Sequence, residues 1–122
     1  MKRLLVGVCV VFAFHRLTAQ TMIWQPSPGH TQTPIWPGEP PDAQPLPRAE
    51  IVGPVTDHPV AGRPWTYIAS VTRPTMTVYS PRGKNTGAAV VVFPGGGYRI
   101  LAIDLEGTEV CDWLTAKGIT CV

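Results

Sequence analysis

Charge is scarce in this sequence. Lys, Arg, Asp and Glu together make up 15% of its 122 residues, and they form no block of one sign. A nucleic-acid surface needs clustered Lys and Arg, and a charged interaction tail needs a like-charge run; neither pattern is present, so no nucleic-acid partner is expected. Histidine and cysteine are equally sparse, with three of each. No His, Cys or carboxylate group has the spacing of a metal-ligand set, so no metal and no other cofactor is expected. Long apolar runs are missing too. The longest, Leu4 to Phe14, is about 11 residues against the roughly 20 needed to span a bilayer, so no stable membrane anchor is expected.

What the apolar run does suit is the core of a secretory signal peptide. Met1-Lys2-Arg3 supplies the positive start, and Leu17-Thr18-Ala19 offers small residues for cleavage after Ala19. Residues 1–19 are therefore expected to be a leader and the protein to be secreted or periplasmic. The formal net charge of +2 depends on that segment: without Lys2, Arg3 and Arg16, seven basic residues face eight acidic ones.

Proline is abundant, and 11 of its 14 copies fall between Pro26 and Pro64. Pro40-Pro41 and Pro45-Leu46-Pro47 forbid a continuous helix, because proline lacks a donor and clashes with the preceding turn. Pro28-Gly29 and Pro37-Gly38 are turn signals. Residues 20–64 read as an extended linker or a wrapping arm with polyproline II character. Trp24, Ile35 and Trp36 favour some packing of this arm on a domain or on a carbohydrate. Asp57-His58 is the one acid–base pair in it, and in a loop of Val, Pro and Gly it reads as surface polarity.

A folded part is expected over 65–122. Thr75 to Tyr79 alternates and is rich in β-branched and aromatic residues, which predicts a half-buried strand. Ser80 to Gly87 is a polar loop. Ala88 to Phe93 is a continuous apolar run, the pattern of a strand buried on both faces in a parallel sheet. A helix follows Pro94-Gly95-Gly96-Gly97-Tyr98, with Asp104 as cap, Glu106 complementing the helix dipole, and Val110, Trp113 and Leu114 as an inward stripe. Lys117 and Gly118 stop it, and Ile119 to Val122 begins another strand, completing a βαβ unit. Cys111 and Cys121 could pair in an oxidising compartment; two buried thiols acting as small hydrophobes is the preferred reading.

Three glycines directly after a buried strand let the backbone turn tightly. Their N–H groups lie at the strand's carboxyl end, where α/β folds place ligands, and such donors can hold negative charge developing on an oxygen. Neither the phosphate-binding Gly-x-x-x-x-Gly-Lys pattern nor Gly-x-Gly-x-x-Gly fits, since no Gly-Lys follows Gly97 and the third position of the latter is Ile100.

Val-Val-Phe-Pro-Gly-Gly-Gly-Tyr, with Asp-Leu-Glu-Gly, Trp-Leu and Lys-Gly-Ile-Thr downstream, resembles the N-terminal portion of the α/β-hydrolase esterases. The group in question is the secreted bacterial carbohydrate-esterase-like lipases and esterases, which include acetyl esterases and members labelled as xylanases. The resemblance covers residues 75–122. It implies an α/β fold, here an incomplete α/β-hydrolase with the first strands, oxyanion loop and first helix, preceded by the Pro-rich arm. It also implies that Gly96 and Gly97 supply oxyanion-hole N–H groups, that Gly95 permits the turn, and that Tyr98 lines the substrate pocket. The family motif usually reads His-Gly-Gly-Gly; Pro94 stands in place of the His, which changes how the loop is braced.

The resemblance further implies a Ser in Gly-x-Ser-x-Gly, followed by an acid and a His. Ser27, Ser70 and Ser80 are the only serines, and none lies between two glycines at that spacing. His15, His30 and His58 all precede the glycine loop. The expectation is a fragment of a serine carboxylic-ester hydrolase without a catalytic triad, whose full-length parent deacylates small acyl esters or acetylated carbohydrate. The alternative is a non-catalytic secreted protein that binds a partner through its Pro- and Trp-rich arm.

Overall fold

The computed structural model describes residues 23–45 and 48–122. The expected leader, residues 1–19, lies outside them. Among the described residues there are six strands and one α-helix: β1 (Gln32–Pro34), β2 (Ile51–Val60), β3 (Arg63–Ala69), β4 (Thr75–Thr77), β5 (Ala89–Val90), α1 (Glu109–Ala116) and β6 (Thr120–Cys121), with a π-helical turn (Asp104–Thr108) leading into α1.

Regular structure starts before Trp65, inside the Pro-rich segment. β2 and β3 form an antiparallel hairpin around Ala61 (φ 49°) and Gly62 (φ 75°). Two successive positive φ values are the signature of a type I′ turn, whose twist matches that of the flanking strands. Pro54 and Pro59 are tolerated in β2 because it is an edge strand, where a missing donor costs no ladder bond. The pairing register shifts between Val55 and Val60. β1 is a second strand in the arm, pairing antiparallel with β4, while the His30 ring stacks at 4.5 Å on Tyr79. The arm wraps onto the domain here because Gln32 to Pro34 is extended and lies alongside an otherwise unpaired strand.

Period-2 alternation holds from Thr75 to Tyr79, with Thr77 and Tyr79 buried and Met76 and Val78 exposed. Tyr79 continues beyond β4 into an antiparallel bridge with Cys121. β6 also pairs with β5, in parallel, and the ladder extends through Val92 N–H donating to Val122 O at 2.8 Å. The connection from β5 to β6 runs through the glycine loop and α1. Lys117 and Gly118 terminate α1 as the sequence predicts: Gly118 has φ +78°, and a side chain there would run into the Lys84 carbonyl.

Three expectations are corrected. The run Ala88–Phe93 is not buried on both faces: β5 is exposed, Val91 is 59% and Phe93 85% exposed. Burying an apolar strand needs cover on both faces and both edges, and among the described residues only β6 lies beside it. Trp113 does not join the inward stripe. It is 60% exposed, with the Lys117 ammonium 5.0 Å from its ring centroid, while Leu114 is buried and Val110 packs at the core's margin. Cys111 and Cys121 are joined by a disulfide with a Cα–Cα distance of 5.2 Å. The helix face carrying Cys111 lies over β6, which brings the two sulfurs together. Their residues, with Tyr79 and Leu114, form the buried cluster.

Candidate functional site

The glycine loop leaves β5 and is gripped on its far side by the hairpin. Leu101 and Ile68 exchange backbone hydrogen bonds at 2.8 and 3.0 Å, and Ile103 N–H donates to Thr66 O at 3.1 Å. The segment after the loop therefore lies against the free edge of β3. Asp104 locks this junction. Its Oδ2 accepts from Thr66 N–H at 2.7 Å and its Oδ1 from Leu105 N–H at 2.8 Å. That is a correction to its expected role: Asp104 lies within the π-helical turn, and the residue preceding that turn, Ile103, makes no side-chain cap. The side chain reaches across to β3 instead. Arg63, at the start of β3, adds an exposed ion pair to Glu109 at 3.1 Å, a contact worth little by itself.

Within the loop the three glycines have different duties. Gly95 has both backbone groups engaged: its N–H donates to Glu106 Oε2 at 2.8 Å, and its carbonyl accepts from Ala102 N–H at 2.9 Å. Gly96 has φ +149°, and a side chain there would collide with the Ile100 carbonyl. Its own carbonyl accepts from Arg99 and Ile100 N–H at 3.2 and 3.3 Å, closing a tight turn. Gly97 has φ +62° and open space around it. Among the described residues neither the Gly96 nor the Gly97 N–H has a partner. Two adjacent free donors at the carboxyl end of a parallel strand are an anion-receptive arrangement.

Tyr98 adopts a left-handed conformation, φ 59°, and its ring stands fully in solvent. Two shallow depressions, one lined by Arg82, Lys84 and Lys117 and the other by Pro40, Gln44 and Pro74 among others, include no residue of the loop. Asp57 and His58 approach at 3.7 Å on the outside of β2 with side chains 79% and 85% exposed, far from any enclosed site. Among the described residues no three His, Cys, Asp or Glu side chains gather as a metal site, and no helix is long and apolar enough to cross a membrane.

The residue that sequence reasoning undervalued is Glu106. It was assigned to the helix dipole, whereas its carboxylate contacts the loop 11 residues earlier. The available signal was Pro94 at the head of the loop, whose side chain has no hydrogen-bonding group with which to brace it. No family model, curated protein or solved structure matches this chain.

Proposed function

We propose that this chain carries the oxyanion-loop portion of a serine carboxylic-ester hydrolase of the α/β-hydrolase type, acting on small acyl esters or acetylated carbohydrate. The observation that carries the reading is the pair of N–H groups at Gly96 and Gly97, without partners among the described residues, in the loop that follows a strand of a parallel pair. In acyl transfer the carbonyl oxygen of the substrate becomes an oxyanion as the nucleophile attacks. Donors already aimed at that position stabilise it without reorganising, and removal of one typically costs 10²–10³ in kcat. Gly96 and Gly97 are the donors in this reading, Gly95 makes the turn, and Tyr98 stands at the rim to meet the acyl or alcohol part.

The 122 residues contain no Ser between glycines and no His after the loop, so in this reading the nucleophile and the base are supplied by residues other than these. Two experiments test the reading. The purified 122-residue chain is expected to show no hydrolysis of p-nitrophenyl acetate above a Gly96→Pro control; turnover above that control would contradict the division of labour. Sequencing of the transcript beyond the codon for Val122 is expected to show Gly-x-Ser-x-Gly within about 50 to 80 codons. In an enzyme so completed, replacing the amide preceding Gly97 by an ester removes one donor and is expected to lower kcat by about 10²-fold. An unchanged kcat would remove that N–H from the oxyanion hole.

A further inference from the structure

A loop of three glycines is floppy by composition, since each populates positive and negative φ with similar ease. Something other than its own sequence must hold its donors in place. The position where the related motif has His is occupied by Pro94, which has no side-chain hydrogen-bonding group. The structure offers a different brace. Gly95 N–H donates to Glu106 Oε2 at 2.8 Å, Ala102 N–H donates to Gly95 O at 2.9 Å, and Glu106 N–H donates to Ala102 O at 3.0 Å. These three bonds close a ring through Gly95, Ala102 and Glu106. Ala102 is buried at 6% exposure, so the ring is anchored on the interior at that corner, while the Glu106 carboxylate closes it from the exposed side.

Glycine at 95 is what lets this ring close. A side chain at Gly95 would meet the Glu106 carboxylate at 2.5 Å, and one at Gly107 would press on the Pro94 ring at 3.2 Å. The π-helical turn has the same consequence. It sets Glu106 at the mouth of the loop rather than on the outer face of α1, and π turns are frequent where a side chain is redirected toward a site.

We infer that Glu106 is the positioning residue of the glycine loop: its carboxylate takes the Gly95 N–H so that the Gly96 and Gly97 N–H groups stay free and fixed. An ionised acceptor makes the stronger and shorter bond, and the ring spends the one donor that would otherwise compete with its neighbours for an incoming oxygen. The inference concerns the loop itself; its catalytic consequence rests on the ester-hydrolase reading above.

The test uses the full 122-residue chain in three forms, wild type, Glu106→Ala and Glu106→Gln, with amide hydrogen exchange read residue by residue. Glu106→Ala is expected to lower protection of the Gly95 amide at least tenfold while the α1 amides of Leu114 and Thr115 stay as protected as in wild type. Glu106→Gln keeps a carbonyl acceptor and is expected to restore most of the loss. Unchanged Gly95 protection in Glu106→Ala overturns the inference, as does equal loss across Gly95 and α1, which marks Glu106 as merely a helix-stability residue. Should Glu106→Ala fail to fold, Glu106→Met, which keeps the side-chain length without an acceptor oxygen, takes its place, and unchanged Gly95 protection in it overturns the inference. In a completed enzyme, Glu106→Ala is expected to lower kcat at least tenfold with KM changed less than twofold, and Glu106→Gln to recover it. Gly95 protection that depends on Glu106, found together with a completed protein that does not hydrolyse esters, keeps the brace and discards the ester-hydrolase reading.

Discussion

The phenol oxygen of Tyr79 is buried with no hydrogen-bond partner among the described residues, between the His30 ring and the disulfide-bearing cluster. Leaving such a group unpaired costs about 1–3 kcal/mol, so Tyr79→Phe is expected to raise stability by about 1 kcal/mol, measured as an unchanged urea m-value with a higher midpoint. Burial is also the main force pushing the Tyr79 pKa above its ordinary value, with the Asp112 carboxylate adding to it. The sign follows from linkage. The folded protein keeps this proton when the unfolded chain has lost it, so the contribution is complete below about pH 10, the unfolded value. It declines as pH rises from there through the folded pKa. An alkaline loss of stability starting near pH 10 is expected in the wild type, and its reduction in Tyr79→Phe checks the assignment. Asp104 gives the opposite kind of residue, one whose two carboxylate oxygens both accept hydrogen bonds. Asp104→Ala strands the half-buried Thr66 N–H and is expected to cost about 1–3 kcal/mol, seen as a lower thermal midpoint with early loss of hairpin amide protection. The alternation of Thr75 to Tyr79 marks a half-buried strand, but neither the groups that cover Tyr79 nor the Asp104 bridge to Thr66 was legible in sequence order, because those partners lie tens of residues away.

At the scale of elements, the disulfide joins α1 to β6 across a separation of 10 residues. Closing a loop of that size in the unfolded chain is worth about 3 kcal/mol. Reduction, or the paired change Cys111→Ala with Cys121→Ala, is expected to lower stability by about that amount, read from denaturant midpoints with and without reductant; an unchanged midpoint would show that α1 and β6 hold together without it. The spacing of the two cysteines does not reveal the bond, because ten residues of loop, helix or strand bring their ends to very different distances. Only a helix folding back on its own following strand leaves them 5.2 Å apart at Cα. The stop at Lys117-Gly118 was legible for the converse reason. A positive φ and a helix end are local demands, and glycine answers them wherever the rest of the chain goes. The hairpin was hidden by its prolines, which argue against a strand everywhere except at an edge, and edge status is a property of the sheet.

For the whole molecule the open side of β5 matters most. Val91 and Phe93 are exposed, and their N–H groups find no partner among the described residues. Exposed apolar edges template pairing with other chains. The isolated 122-residue chain is expected to associate with rising concentration, and Val91→Lys to delay that association by placing a charge on the edge. Light scattering across a dilution series checks it; a wild type that stays monomeric at high concentration counts against an accessible edge. The same edge explains the clearest failure of sequence reading. The pattern Ala88–Phe93 encodes a strand meant for cover on all sides, and cover is supplied by other elements.

By itself the sequence determined the local conformations: the alternation of Thr75 to Tyr79, the glycine turn after an apolar strand and the helix stop at Gly118. Each depends on side-chain period or on the φ that a single residue permits, and neighbours in the chain suffice to specify it. Tertiary structure decided which segments became partners. It set β1 on β4 out of a proline-rich arm, bonded Cys111 to Cys121, left Phe93 in solvent, and brought Glu106 to Gly95. Those outcomes depend on hydrogen bonds and packing between residues distant in sequence, whose meeting is settled only when the whole chain is arranged.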